Sequence, residues 1–314
     1  MQKLSPLIEQ RADPYIVRHS DGYYYFTASV PQYDRIELRR ATTIEGLREA
    51  PIADVWHKPE TGACSELIWA PELHYNQGAW YVYFAAAPSR EIKNKLFQHR
   101  MYAIRNSNAN PLQGEWEFMG QVDTGIDTFC LDATTFTHKG KLYYLWAQKD
   151  NAIEGNSNLY IAEMETPWQI KGKPVMLSRP EFDWEIRGFW VNEGPSVLQR
   201  NGKVFISYSA SATDENYAMG LLWADADGDL LDPAAWTKLK APVLQTCFEH
   251  GIYGPGHNSF TLDADGNVLL VYHARTYTEI VGDPLWNPDR HTFVKPLRWD
   301  AQGMPVFGRP SVIE

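Results

Sequence analysis

The sequence repeats one short pattern five times, and this repeat restricts the possible folds more than any other feature. In each copy, a tight turn containing glycine is followed at once by a strand-like run of aromatic and β-branched residues. The turn glycines lie at nearly even spacing along the whole chain: Gly22, Gly78, Gly140, Gly202 and Gly266. A pattern in register over the full length indicates a fold built from five similar units.

Each unit is predicted to be a small antiparallel sheet, because a strand candidate precedes every turn and another follows the hairpin. The runs that follow the glycines are 23–28, 80–86, 142–148, 204–210 and 268–274. The third-strand candidates are 36–41, 101–105, 158–164, 219–224 and 291–299. Segment 90–99 is the best helix candidate, and 49–65 and 182–190 are predicted to be loops between units.

Small antiparallel sheets repeated around an axis protect their strand edges without closing a barrel. The sequence therefore predicts an all-β fold, a five-bladed β-propeller. A β-sandwich with coincidental spacing is the alternative, and it explains the shared register of five hairpins less well. No Pro/Gly/Ser-rich linker divides the chain, so we expect a single domain over 1–314, with blades starting near residues 13, 70, 132, 193 and 257.

Charge and composition narrow the range of partners. The formal net charge is −10, and no run concentrates five or six like charges, so we expect no nucleic-acid partner. No apolar stretch is long enough for a membrane span, so we expect no membrane partner either. The 12 Trp, 17 Tyr and 13 Phe suit packed sheets and also sites that bind the flat faces of sugars.

The predicted location is the cytoplasm. The first ten residues contain no continuous apolar run of the kind found in secretory signals. Cys64, Cys130 and Cys247 are odd in number and lie outside any Cys-x-x-Cys pattern, which favours reduced thiols over disulfides or a zinc site.

The repeat also predicts a site. In a propeller the first strand of each blade lines the central channel, so equivalent residues of different blades meet near the axis. Counting back eight or nine residues from each turn glycine reaches Asp13, Asp132, Glu193 and His257, with Trp69 or Ala70 in the second unit. Three carboxylates and one histidine are thus expected to project toward one small volume.

Such a cluster suits the hydrolysis of acetals. Crowded carboxylates resist simultaneous ionisation, and apolar walls raise their pKa values further. Two carboxyl groups with separated pKa values can protonate a leaving oxygen and activate water or attack the sugar. Each residue alone has a structural alternative, such as a turn at Asp13-Pro14 or a buried structural histidine at 257. Their shared position in the repeat favours a functional cluster.

Five short motifs resemble those of glycoside hydrolase family 43, in order along nearly the whole chain. They are Ala12-Asp13-Pro14-Tyr15, Trp69-Ala70-Pro71-Glu72, Leu131-Asp132-Ala133, Asn192-Glu193-Gly194-Pro195 and Gly256-His257-Asn258-Ser259. The resemblance implies a five-bladed, inverting hydrolase acting on α-L-arabinofuranosides or β-D-xylosides.

The resemblance also implies roles for individual residues. Asp13 would be the general base, Glu193 the general acid, and Asp132 the group that raises the pKa of the acid and holds it in position. His257 matches an axial histidine near a bound calcium or other cation, which it would contact directly or through water. The chemistry itself would require no cofactor.

Substrate binding is implied for Arg275, which matches an arginine that hydrogen-bonds the sugar, and for Trp69, which matches a pocket wall. His257 would also contact the substrate. The run 273–292 looks like that of members that release arabinose from the ends of α-1,5-linked arabinan. We therefore expect an exo-acting α-L-arabinofuranosidase. The alternatives are a β-D-xylosidase of the same family and, from another class, a non-catalytic propeller that binds glycans.

Overall fold

The chain folds into five antiparallel sheets arranged as a β-propeller, in a computed structural model that describes residues 5–310 and the backbone of 2–3 and 312–313. The sheets follow one another along the sequence, and the strands of each sheet pair in chain order. The innermost strand of each blade packs against the innermost strands of both neighbouring blades, so the five form a ring. The prediction of an all-β, five-bladed β-propeller is confirmed.

Blades I to IV have four strands and blade V has three, and the first strand of each blade lies at the channel. Blade I comprises Ala12–Arg18, Tyr24–Ser29, Arg35–Ala41 and Ala53–His57. Blade II comprises Glu66–Asn76, Ala79–Ala87, Arg100–Asn106 and Glu117–Gln121. Blade III comprises Cys130–His138, Lys141–Gln148, Asn158–Thr166 and Gln169–Ser178. Blade IV comprises Asn192–Arg200, Lys203–Ala210, Ala218–Asp225 and Thr237–Lys238, and blade V comprises Tyr253–Leu262, Val268–Arg275 and His291–Pro296.

The remaining regular elements are short. Two further strand pairs join Gln2–Lys3 to Val312–Ile313 and Arg298–Trp299 to Pro305–Val306. Single 3₁₀ turns occur at Glu45–Leu47, Asp183–Glu185, Pro233–Ala235, Phe248–His250 and Pro284–Trp286. Within the part of the chain that the structure describes, no helix is long and apolar enough to cross a membrane.

The beginning of the described chain is fastened to the last blade. The Leu7 N–H donates to the carbonyl oxygen of Thr292 at 2.7 Å, and the Thr292 N–H donates to that of Ile8 at 2.9 Å. Leu7 and Ile8 are buried in an apolar cluster that contains Ile16 of blade I and Val271 of blade V. This segment therefore joins the two blades at which the ring closes.

The turn glycines adopt the conformation that the sequence predicts. All five have a positive φ, between 71° and 86°. In blades II, III and IV the preceding residue also has a positive φ, as two-residue hairpin turns of type I′ require. Those residues are Gln77, Lys139 and Asn201.

A β-bulge recurs at the same place in all five innermost strands. Pairing with the second strand shifts there by one residue, and the residue at the shift has a positive φ. These residues are Asp13 (55°), Ala70 (44°), Asp132 (55°), Gly194 (53°) and His257 (42°). Because a bulge redirects a side chain, the repeated bulge turns one residue of each blade away from the regular strand pattern.

The helix predicted at 90–99 is wrong. The segment is a loop with a tight turn, in which the Lys93 and Leu96 N–H groups each donate to the other's carbonyl, at 2.8 and 3.0 Å. Asn94 and Lys95 have φ values of 52° and 68°, which an α-helix does not allow. The apolar residues that suggested a helix face line a cavity instead.

Two strand boundaries also differ from the prediction. The predicted loop 49–65 contains the fourth strand of blade I, Ala53–His57, whose half-exposed edge position gives only a weak alternation of apolar residues. The predicted strand 291–299 divides into His291–Pro296 and Arg298–Trp299, which pair with different partners.

Candidate active site

One cavity brings the predicted carboxylates together at the channel. Its volume is about 280 Å³, and residues from all five blades line it. Asp13, Asp132, Glu193 and His257 all contribute to the lining and are almost completely buried. The structure therefore unites the four residues that the count from the turn glycines selected, across sequence separations of more than 240 residues.

Glu193 enters the cavity from a different strand position than the other three. Asp13, Asp132 and His257 occupy the bulge, whereas in blade IV the bulge residue is Gly194. Glu193 precedes the bulge, as Trp69 does in blade II. The structure thus places the third carboxylate one residue out of register with the other two.

Gly194 permits the close packing of blades IV and V. A Cβ atom at this position would lie 3.0 Å from Cγ of His257, and its φ of 53° disfavours other residues. The Gly194 N–H also donates to Oδ2 of Asp132 at 3.1 Å. The glycine thus brings a backbone donor to one carboxylate and leaves space for the imidazole.

Asp13 is surrounded by polar groups, including one guanidinium. The Ser29 hydroxyl donates to its Oδ2 at 2.6 Å, and Nδ1 of His257 lies 3.2 Å from its Oδ1. Nη1 of Arg290 lies 3.6 Å from the same oxygen. Burial alone would raise the pKa of Asp13, but His257 and Arg290 outweigh burial and hold this pKa well below its usual range. The surroundings of Asp13 therefore favour its carboxylate form.

His273 accepts a hydrogen bond from the backbone of Asp13. Its Nδ1 accepts the backbone N–H of Asp13 at 3.0 Å, so we assign its proton to Nε2. Burial lowers the pKa of His273 to about 3, which keeps the ring neutral. The ring stacks on Tyr217 with a centroid distance of 5.6 Å and an interplanar angle of 5°.

The surroundings of Glu193 and Asp132 favour the protonated form, in contrast to those of Asp13. Burial raises the pKa of Glu193 to about 7, and the charge of Asp13 adds to this, while the Tyr217 hydroxyl donates to Oε1 at 2.8 Å and opposes it. Burial also raises the pKa of Asp132, followed by the charges of Glu193 and Asp13. Two buried carboxyl groups that repel each other hold one proton between them more readily than none. One cavity thus contains both an ionised and a protonated carboxyl group near neutral pH.

Arg275 is placed outside the cavity, contrary to the role expected for it. Its guanidinium donates to the carbonyl oxygens of Thr213 and, at 2.8 Å, Pro284, and to Oδ1 of Asn287 at 3.1 Å. These contacts tie two loops of the rim together. Arg275 and Arg290 both lie in the run 273–292, and only the fold separates their positions.

Arg290 is the arginine that faces the cavity. Its Nη2 donates to the Tyr33 hydroxyl at 3.0 Å, and both residues line the site. Sequence reasoning missed Arg290, Tyr33, His273 and Tyr217. The two residues of the run 273–292, His273 and Arg290, could have been selected by their type, but nothing in the sequence marks Tyr33 or Tyr217.

Trp69 forms part of the cavity wall, as predicted from its motif. Its ring stacks on His99 at a centroid distance of 3.8 Å and meets Phe97 and Tyr33 edge-on at 5.6 and 6.0 Å. Its indole N–H is buried and has no hydrogen-bond partner among the described residues. Because buried donors are normally satisfied, this group is available to a ligand hydroxyl.

His257 does not form part of a metal-binding cluster. Its Nδ1 is directed at Asp13 and lies 3.7 Å from Oδ2 of Asp132. Among the described residues, no three His, Cys, Asp or Glu side chains are arranged to hold a metal ion. Calcium prefers six or more oxygen ligands, so this donor set does not fit a cation bound chiefly by protein groups. The axial cation stays a prediction, and no step of the proposed mechanism depends on it.

Comparison with known proteins identifies the family. The model of glycosyl hydrolases family 43 matches residues 4–305. An extracellular exo-α-(1→5)-L-arabinofuranosidase of Streptomyces avermitilis is 51% identical over 307 residues, covering 98% of this chain and 63% of that protein. α-L-Arabinofuranosidase 43 of Humicola insolens is 49% identical, with the same coverages of 98% and 63%. The chain thus spans less than two thirds of the length of these two relatives.

Two other relatives match over most of their own length. An extracellular exo-α-(1→5)-L-arabinofuranosidase of Streptomyces chartreusis is 51% identical, covering 89% of this chain and 84% of that protein. The crystal structure of an α-L-arabinofuranosidase from Lactobacillus brevis is 57% identical, with a TM-score of 0.97 and coverages of 99% and 97%. The whole propeller is therefore shared with a solved relative.

The cytoplasmic location predicted from the sequence is wrong in the light of these relatives, since both Streptomyces proteins are named extracellular. The three cysteines are free, with Cys64 and Cys130 buried. Buried thiols pack equally well in either compartment, so they do not reveal the location of the protein. Neither these thiols nor the composition of the first ten residues could support the prediction.

The fold, the cavity and the sequence matches agree. The match to the family model covers nearly every described residue. It includes the four buried residues at the channel, which are Asp13, Asp132, Glu193 and His257. The chain belongs to glycosyl hydrolases family 43.

Proposed function

We propose that the chain is an exo-acting α-L-arabinofuranosidase that releases terminal arabinofuranose from α-1,5-linked arabino-oligosaccharides or arabinan, with inversion. The observation that carries the proposal is the opposite bias of two carboxyl groups in one cavity, Asp13 toward the carboxylate and Glu193 toward the acid. The names of the relatives in Streptomyces, Humicola and Lactobacillus support the choice of sugar.

Asp13 acts as the general base. Its carboxylate accepts a proton from a water molecule as the water attacks the anomeric carbon. A weakly basic carboxylate suffices, because the anomeric carbon carries oxocarbenium-like charge in the transition state and water then needs little activation. Ser29, His257 and Arg290 fix the orientation of the carboxylate.

Glu193 acts as the general acid and transfers its proton to the glycosidic oxygen as the bond to the anomeric carbon breaks. A pKa of about 7 leaves a substantial fraction of Glu193 protonated near neutral pH. Burial raises the pKa of both Glu193 and Asp132, so the pair holds one proton, and we assign this proton to Glu193 while the Gly194 N–H stabilises negative charge on Asp132. An ionised Asp132 would repel the carboxylate of Glu193, and we assign to it the role of raising the pKa of the acid.

The cavity wall binds the terminal sugar. A volume of about 280 Å³ lies at the low end for small-molecule sites and suits one sugar ring. Arg290 and Tyr33 offer hydrogen bonds to ring hydroxyls, and Trp69 offers an apolar face and its free indole N–H. A cavity of this size accepts a chain end, which favours exo over endo action.

A substrate panel tests the proposal. The wild-type protein is assayed with 4-nitrophenyl α-L-arabinofuranoside, 4-nitrophenyl β-D-xyloside and α-1,5-arabinotriose, with Asp13→Asn as the inactive control. We expect turnover of both arabinosides, arabinobiose and arabinose as first products of the triose, and a loss of about 10³-fold in Asp13→Asn. A preference for the xyloside would assign the β-D-xylosidase alternative, and no turnover of any substrate would favour a glycan-binding propeller.

A further inference from the structure

A half-exposed aromatic side chain lines the cavity from the loop between blades III and IV. Phe189 lines the cavity and is 37% exposed, and its ring contacts no other aromatic ring among the described residues. Trp286, which follows the cavity residue Leu285, offers a contrast, since its ring contacts Tyr33 and the Arg90 guanidinium lies over it. Phe189 is therefore a half-exposed ring at the cavity that has no aromatic partner among the described residues.

The loop that carries Phe189 is fixed. The Arg187 N–H donates to the Ser211 hydroxyl at 3.0 Å, and the Ala212 N–H donates to the carbonyl oxygen of Arg187 at 2.9 Å. A Cβ atom on Gly188 would lie 3.0 Å from Cβ of Ala212, so the two segments are in close contact. A rigid loop loses little freedom when a ligand binds, so an exposed ring held on it is preorganised for contact.

The position of Phe189 in the cavity indicates which sugar of the substrate it would contact. Phe189 lies in the loop that leads into the first strand of blade IV, four residues before Glu193, and Gly188, Ala212 and Thr213 line the same cavity. The general acid must reach the glycosidic oxygen, so the departing sugar leaves the cavity on the side of Glu193. Asp13 and its water molecule approach from the opposite face of the terminal sugar.

We propose that Phe189 is the binding platform for the second sugar of an α-1,5-linked arabino-oligosaccharide, the one that departs as the leaving group. This inference rests on the proposed function and makes it more specific. The apolar face of the furanose ring would cover the exposed phenyl ring, while the terminal sugar occupies the cavity. Phe189 would thus distinguish oligosaccharides from arabinosides that carry no second ring.

The experiment compares two substrates in one set of variants. We measure kcat/KM for α-1,5-arabinobiose and for methyl α-L-arabinofuranoside, whose methanol leaving group cannot stack. Phe189→Ala is expected to lower the ratio of the two values by about three- to tenfold, as loss of one aromatic platform should. Phe189→Leu keeps an apolar side chain without a flat ring, so it should lower the ratio by less; this variant decides the question if Phe189→Ala does not fold.

Phe248→Ala is the matched control. Phe248 is 70% exposed and does not line the cavity, so its removal should leave the substrate ratio within twofold of wild type. An unchanged ratio in both Phe189 variants would overturn the inference while the proposed function stands. Wild-type protein that hydrolyses neither substrate would overturn the proposed function, and this inference with it.

Discussion

Environment, rather than residue type, gives each carboxyl group of the cavity its role. Asp13 faces Arg290 and His257, and these hold its pKa below the usual range despite burial. Glu193 is equally buried but receives only the Tyr217 hydroxyl as a close donor, and its pKa rises. Separation of two pKa values in opposite directions is the arrangement that acid–base hydrolysis requires.

The hydrogen bond from Tyr217 to Glu193 should affect the pH above which activity falls. Glu193 must be protonated to act, so kcat/KM should fall as the pH rises through about 7. The Tyr217 hydroxyl stabilises the carboxylate, so Tyr217→Phe should raise the pKa of Glu193 and move the alkaline limb up by about half a unit to one unit. The pH dependence of kcat/KM on arabinobiose measures this shift.

Tyr208→Phe is the control for this shift. Tyr208 makes a similar buried hydrogen bond, at 2.8 Å, to Glu185 in the 3₁₀ turn Asp183–Glu185, and Glu185 does not line the cavity. Its loss should leave the alkaline limb in place. A limb that stays in place, or moves down, in Tyr217→Phe would contradict the assignment of Glu193 as the acid.

At the scale of elements, the repeated bulge converts a strand into a site. The same left-handed position supplies two carboxylates and a histidine in three blades, and alanine and glycine in the other two. A non-glycine residue in this region is strained, and such strain persists only where the surroundings hold it in place. The paired second strands and the close packing of neighbouring blades provide that support.

Gly194 is the bulge residue least tolerant of change. Gly194→Ala would place a Cβ atom against His257 and add the strain of a positive φ, so we expect a loss of about 1–3 kcal/mol in the free energy of unfolding. Gly202→Ala is the matched control, because its φ of 71° carries similar strain while nothing lies within 4 Å of the added carbon. Urea denaturation measures both variants, and equal losses would refute a tight contact at Gly194.

Much of the element pattern could be read from the sequence, for physical reasons. Turn glycines and alternating apolar runs are local signals, so the hairpins whose turns contain Gly78, Gly140 and Gly202 were predictable. The edge strand Ala53–His57 and the loop misread as a helix at 90–99 have weak or misleading local patterns. Their conformations depend on contacts with other parts of the propeller.

The site was only partly predictable for a related reason. Asp13, Asp132 and His257 share one place in the repeat, so a count along the chain found them. Glu193 stands one residue before that place. The count still found it, because the bulge residue precedes the turn glycine by eight residues in some blades and by nine in others. Arg290 and Tyr217 reach the cavity from other strands and loops, and no periodicity marks such residues.

At the scale of the whole molecule, stability depends on closing the ring. Ile8 is buried where the initial segment pairs with Thr292 of the last blade. Ile8→Ala should lower the free energy of unfolding by about 2–4 kcal/mol, because it removes buried apolar volume between blades I and V.

Ile52→Ala serves as the control for ring closure, since Ile52 is 51% exposed and should contribute less than 1 kcal/mol. Thermal and urea unfolding of both variants measure the difference. A loss at Ile8 no greater than that at Ile52 would mean that this segment does not hold the ring together.

The role of Asp13 is central to the proposed hydrolysis, in which this carboxylate activates water and does not attack the sugar itself. The direct test is proton NMR of the arabinose first released from α-1,5-arabinobiose, recorded before its anomers equilibrate. Attack by water on the face opposite the leaving group predicts β-L-arabinofuranose as the first product. First appearance of the α-anomer would show net retention and contradict the assignment of Asp13 as a general base.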